Sequence, residues 1–130
     1  MSGAFRVLLI VLTGLCYIIA HEFGHYAMAA DYSLDPTFVY GNGAGSNMLG
    51  MALGVSHLAT SQSQNFFVIF GATLLPLAIG VVLAGAALLR DNEELALMAE
   101  VFFLLTLINL VPIPGMSSLD ANKIWSYILL

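Results

Sequence analysis

The chain has 130 residues, of which 60% are hydrophobic and 8% charged. A soluble domain carries about 25% charged residues, so the composition excludes an ordinary water-soluble globule and predicts a single membrane-embedded domain over residues 1–130. Eight acids against three bases give a net charge of −5 and leave no basic patch, which excludes nucleic acid as an expected partner and makes the lipid bilayer the expected surroundings.

The first predicted element is an apolar helix from about Ala4 to Ala30. At 1.5 Å per residue it extends about 40 Å, enough to cross a bilayer with some tilt. Arg6 and the run from Val7 to Ala20 also fit the first two parts of a signal peptide. However, Ile18 and Ile19 stand before Ala20, so no small-x-small cleavage site precedes His21. The segment is therefore read as a retained transmembrane helix. Cys16 lies about 140° round this helix from His21, off the histidine face, and is read as a buried, inert thiol.

Within this helix stands His21-Glu22-Phe23-Gly24-His25. Residues four apart share a helix face, so His21 and His25 can point at one ion. Neutral imidazole is a good zinc ligand, and two ligands one turn apart make half of a tetrahedral site. Glu22 sits about 100° round the helix from His21, where it can take a proton from water without binding the metal. His-Glu-x-x-His is the pattern of a zinc metalloprotease, and ionisable groups inside an apolar helix are expensive enough to be functional by default. Ala20 and Gly24, small and four apart, let a neighbouring helix approach beside the histidines.

Asp31 to Asn65 differs in character. Asp35-Pro36 ends any helix. Thr37 to Tyr40 has strand composition, Gly41 to Asn47 is rich in turn residues, and Met48 to Leu58 is apolar but too short to span. A hairpin or re-entrant loop beside the first helix is expected, its glycines forming tight turns and its edge offering a place for an extended peptide to pair. His57, alone near the end of this stretch, is read as polar surface.

A second helix is predicted from about Phe66 to Leu89, with a kink at Pro76 and a small-residue packing stripe of Gly80, Ala84 and Ala87. Arg90 to Glu94 forms a solvated turn. A third helix follows from about Leu95 to Leu110, with Glu100 at a solvated end position. The chain breaks at Asn109 to Gly115, and a last short helix starts near Ser117 or Ser118 as N-cap. It is too short to span, and Trp125, Tyr127 and Lys123 suit a membrane interface. The expected fold class is an all-α membrane protein with three to four transmembrane or partly inserted helices. Arg6 and Arg90 then lie together on the cytoplasmic side.

In that topology the segment carrying Asp120 emerges where the first helix ends, near His21 and His25. A catalytic zinc takes three protein ligands and keeps one open position. The acids near that face are Asp31, Asp35 and Asp120; Asp120 is favoured because the other two lie past the helix end.

With these residues in place, the chain resembles the site-2 protease family of intramembrane zinc metalloproteases. The similarity rests on His21-Glu22-Phe23-Gly24-His25 near one end, and on Asn109-Leu110-Val111-Pro112-Ile113-Pro114 with Leu119-Asp120 near the other. The family pattern is His-Glu-x-x-His on one transmembrane helix and Asn-x-x-Pro followed by Leu-Asp-Gly on a later one. The resemblance implies Zn2+ held by His21, His25 and Asp120, Glu22 as general base, and a transmembrane protein as substrate. Asp120-Ala121 stands where the family has Asp-Gly, and Gly71-Ala72 where it has Gly-Pro. The alternative implied function is a catalytically silent, protease-like subunit with a partner in a larger membrane complex.

Overall fold

Four helices and a two-stranded hairpin make up the computed structural model, which describes residues 1–40, 53–58, 61–112, 114 and 120–129. Helix α1 runs Gly3–Asp31, with the Ser2 hydroxyl accepting from the Phe5 amide at 3.3 Å as its N-cap. The chain leaves it through Ser33 and Asp35, both at positive φ (54° and 50°), so the helix has ended before Pro36. Strands β1 (Thr37–Tyr40) and β2 (Leu53–Ser56) pair antiparallel, Thr37 opposite Ser56. The hairpin expected after the first helix is therefore present. The turn residues Gly41 to Asn47 and the apolar Met48 to Ala52 lie outside the described residues.

Two contacts lay the hairpin on the second half of α1. The Leu58 amide donates to the Leu34 carbonyl at 3.1 Å, and Phe38 stacks on Tyr26 with ring centroids 4.8 Å apart. Leu34 packs with Ala29 and Val68 in a small buried cluster, so this apolar knot joins the end of α1, the hairpin and the next helix.

Helix α2 spans Gln62–Arg90 and starts a turn earlier than its apolar residues suggest. Ser61 caps it by accepting from the Gln64 amide at 3.2 Å, which brings a polar Gln-Ser-Gln-Asn run into the helix. Pro76 lies inside this helix and is fully buried. Gly80, from the expected small-residue stripe, faces Phe102 and Phe103. Helix α3 (Glu93–Leu110) also starts early: Asn92 accepts from the Leu95 amide at 2.8 Å, and Glu93 and Glu94 favour its positive end. Glu100 is exposed, as expected. The last helix, α4, spans Asp120–Ile128; the expected cap at Ser117 or Ser118 lies outside the described residues. Helix α2 is central, packed against α1, α3 and α4.

Polarity is arranged inside out. Thr13, Tyr17, His21 and Gly24 form the buried face of α1, and Thr73 and Thr106 are buried on α2 and α3. The outer faces carry Val7, Leu8, Val11 and Ile19 on α1 and Val81, Val82, Leu88 and Leu89 on α2. Four helices are described, where three to four transmembrane or partly inserted ones were expected, and two of them, α1 and α2, are long and apolar enough to cross a membrane. The third is shorter, at 18 residues, and carries Glu93, Glu94 and Glu100. Cys16 corrects one expectation: it is exposed. Being off the histidine face places it not in a core but on the apolar outer side, with Leu12, Leu15 and Ile19.

Candidate metal centre

His21 and His25 sit one turn apart on α1, and both rings turn towards α4. Its first residue, Asp120, brings one carboxylate oxygen, Oδ2, to 3.0 Å from His21 Nε2 and 2.9 Å from His25 Nε2. The side chains are only 10%, 13% and 16% exposed for His21, His25 and Asp120. Their ligand atoms all lie within 4.8 Å of one another. Of the three acids available near this face, Asp120 is thus the one the fold delivers; Asp31, the last residue of α1, and Asp35, beyond it, are exposed and stand outside the cluster.

The hydrogen bonds favour a cation here. His25 Nδ1 lies 3.1 Å from the Val68 carbonyl. A carbonyl only accepts, so Nδ1 carries the proton. In a neutral imidazole Nε2 is then a bare lone pair, and it faces a carboxylate oxygen at 2.9 Å. Two acceptors at that distance repel unless a second proton or a metal ion stands between them. Tetrahedral ligands about 2.0–2.1 Å from a zinc ion lie about 3.3 Å from one another, close to the two nitrogen–oxygen separations here. His21, His25 and Asp120 can therefore coordinate a divalent metal. Burial by itself would push the Asp120 carboxyl up; hydrogen bonds from His21 and His25 outweigh it and hold the group well below the usual carboxylate range.

Support for the ligands comes from all sides. The Val68 carbonyl fixes the His25 tautomer, the role outer partners play around metal-ligating histidines. Tyr17, 2% exposed, stacks on the His21 ring with centroids 6.0 Å apart. Asn109 Nδ2 donates to the Tyr17 hydroxyl at 2.8 Å, so the end of α3 is tied to the ring that backs His21. Trp125 Nε1 donates to the Leu110 carbonyl at 2.8 Å, which holds α4 against the end of α3 and so sets where Asp120 begins. His21 Nδ1 is buried and finds no partner among the described residues.

Glu22 is half-buried and stands outside the three-residue cluster, within electrostatic reach of both histidines. Three neighbours were not assigned to the site from sequence. Tyr17 could have been, since it lies four residues before His21 on the same helix face. Lys123, read as an interface residue, holds its ammonium 3.7 Å from Asp120 Oδ1; its place one turn after Asp120 was the signal. His57, read as polar surface, is half-buried with its Nδ1 buried. Burial, together with the positive charges of His25 and Lys123, pushes its imidazole pKa down. No local pattern marks His57, because the hairpin contacts that place it are long-range. No protein-family model, curated protein or solved structure matches the chain.

Proposed function

We propose that this chain is a multi-pass integral membrane zinc metalloendopeptidase of the site-2 protease type, hydrolysing peptide bonds in membrane-embedded segments of other proteins. One observation carries the reading: Asp120 completes a buried cluster with His21 and His25, while Glu22, beside them on the same helix, stays outside the cluster. A site meant only to hold an ion needs no such uncommitted carboxylate. Two nitrogens and one carboxylate oxygen suit zinc and leave a coordination position open. The polar-in, apolar-out arrangement of the helices supports a bilayer setting.

His21, His25 and Asp120 would hold the ion, which supplies Lewis acidity to water and to the scissile carbonyl. The remaining chemistry belongs to the chain. Glu22 takes a proton from water as the water oxygen bonds to the carbonyl carbon, and the carbonyl π pair moves onto its oxygen. As that oxygen pair returns, the carbon–nitrogen bond breaks, and Glu22 passes the proton to the departing nitrogen. The products are a carboxylic acid and an amine, which exchange a proton to leave a carboxylate and an ammonium group. Among the described residues the hairpin is a two-stranded sheet with one edge of each strand unpaired, and an extended substrate can pair along it.

The test is cleavage of a model transmembrane peptide by the purified protein in bicelles. Chelation is expected to abolish cleavage and added zinc to restore it. A protein that cleaves equally well after complete metal removal would refute the reading.

A further inference from the structure

His57 is a titratable group near the site that the chemistry above does not use. It follows β2 directly, and three links fix its position. Ser56, before it, pairs with Thr37. Leu58, after it, donates to the Leu34 carbonyl at 3.1 Å. Leu34 packs on Val68, whose carbonyl accepts from His25 Nδ1. The backbone on either side of His57 is thus anchored to the same knot that sets the His25 ring.

Two facts single out the side chain. Its Nδ1 is buried yet has no hydrogen-bond partner among the described residues, a condition that folded proteins rarely leave without a purpose. It also lies close enough to His25 and Lys123 to feel both charges, and Lys123 stands beside Asp120. His57 is nevertheless not part of the His21, His25 and Asp120 cluster. It stands outside the ligand set and within electrostatic range of it.

Resting on the protease reading, we propose that His57 is a further catalytic residue: its imidazole Nε2–H, not the buried Nδ1, donates a hydrogen bond to the scissile carbonyl oxygen of the substrate as negative charge gathers there. A preformed donor of this kind strengthens its bond only as the oxygen becomes anionic, so it lowers the barrier without tightening substrate binding. The hairpin that would align the substrate strand carries this donor at its end. Strand pairing and carbonyl polarisation therefore come from one element.

The experiment compares parent, His57→Ala and His57→Gln as full chains in bicelles. It reads zinc per chain, KM, kcat and the affinity for a phosphinic peptide, whose anionic oxygens imitate the tetrahedral stage. His57→Ala is expected to keep its zinc and its KM and to lose about 100-fold or more in kcat, the scale of a lost oxyanion donor. Phosphinic affinity should fall in parallel, while affinity for the amide peptide of the same sequence stays unchanged. His57→Gln, which keeps a donor, should recover part of both. If His57→Ala matches the parent within about threefold in kcat and phosphinic affinity, the proposal is overturned while the protease reading stands. A loss that tracks lost zinc, or one confined to KM, overturns it too, since His57 would then be a structural or ground-state contact. A parent that holds zinc but neither cleaves nor binds the phosphinic peptide overturns both.

Discussion

Gly24 lies against the backbone of Gly71, so close that a Cβ added at Gly24 would stand 2.5 Å from the Gly71 carbonyl oxygen and 2.7 Å from the Ala72 Cα. Because Gly24 falls between His21 and His25, a close backbone approach of α1 to α2 is also the place where the histidines are held. The atoms in the way are backbone and cannot turn aside. Gly24→Ala is expected to force the helices apart and to destabilise the protein by about 1–3 kcal/mol, the usual range for overpacking. It should weaken metal binding as well, since the His25 bond to the Val68 carbonyl spans the same gap. Thermal melting in detergent and zinc titration of the variant check both effects.

Metal binding divides the cluster residues from their neighbours. His25→Ala removes a ligand and is expected to lose most of the approximately one zinc per chain that three ligands and an open position imply. Asp120→Asn should weaken zinc strongly, since it replaces a carboxylate by a neutral amide. Asp31→Asn and Asp35→Asn should change nothing, both being exposed away from the cluster. Elemental analysis of the four purified variants is the measurement, and full zinc in His25→Ala would sink the ligand assignment.

Acid should destabilise the metal-free protein through Asp120. Its carboxyl is held below the usual range in the folded state, so the unfolded chain takes up the proton first as pH falls. The stabilisation is complete above the ordinary aspartate value of about 3.9 and is lost progressively below it. The melting temperature of zinc-free protein is expected to show a decline in that acid range. Asp120→Asn, with no proton to take up, should lack this part of the decline while melting lower at pH 7.

The hairpin makes its own prediction. A photo-crosslinking residue at Val39, in β1, is expected to capture a trapped transmembrane substrate, whereas one at Leu88, exposed on the far part of α2, is not. Capture only from α2 and α3 would place the substrate elsewhere.

Much of this arrangement is legible in the residues themselves, and what is not has physical causes. His21 and His25 share a face because of the helical period, which is local. Asp120 could be matched to them only through an expected topology, because the contact joins residues 99 apart in the chain, a separation no local period encodes. Helix starts were misplaced at Ser61 and Asn92 because hydropathy marks where apolar residues begin, while the helix begins at its cap. Cys16 was misjudged because an apolar helix gives no cue to which face is inner; here the buried face is marked by Thr13, Tyr17 and His21, its polar residues. The unpartnered His57 and the Tyr17–Asn109 bond depend on contacts between distant segments, which no local period encodes.

Glu22 gives the sharpest division between catalysis and binding. It sits next to His21 yet outside the metal cluster, so on the protease reading its part is to move a proton. Glu22→Gln keeps the size of the side chain and a carbonyl oxygen, but an amide has no basicity with which to accept a proton from water. The variant is expected to bind zinc as the parent does and to melt at a similar temperature, because the His21, His25 and Asp120 contacts are untouched. Its kcat should fall by about 100-fold or more, since general-base catalysis contributes about 10²–10⁴. KM should change little, because the loss arises after the substrate is bound. Cleavage at the parental rate would rule out Glu22 as the base. A parent that holds zinc at His21, His25 and Asp120 but cleaves no transmembrane peptide, with or without Glu22, would instead favour a protease-like subunit that keeps the metal for its structure alone.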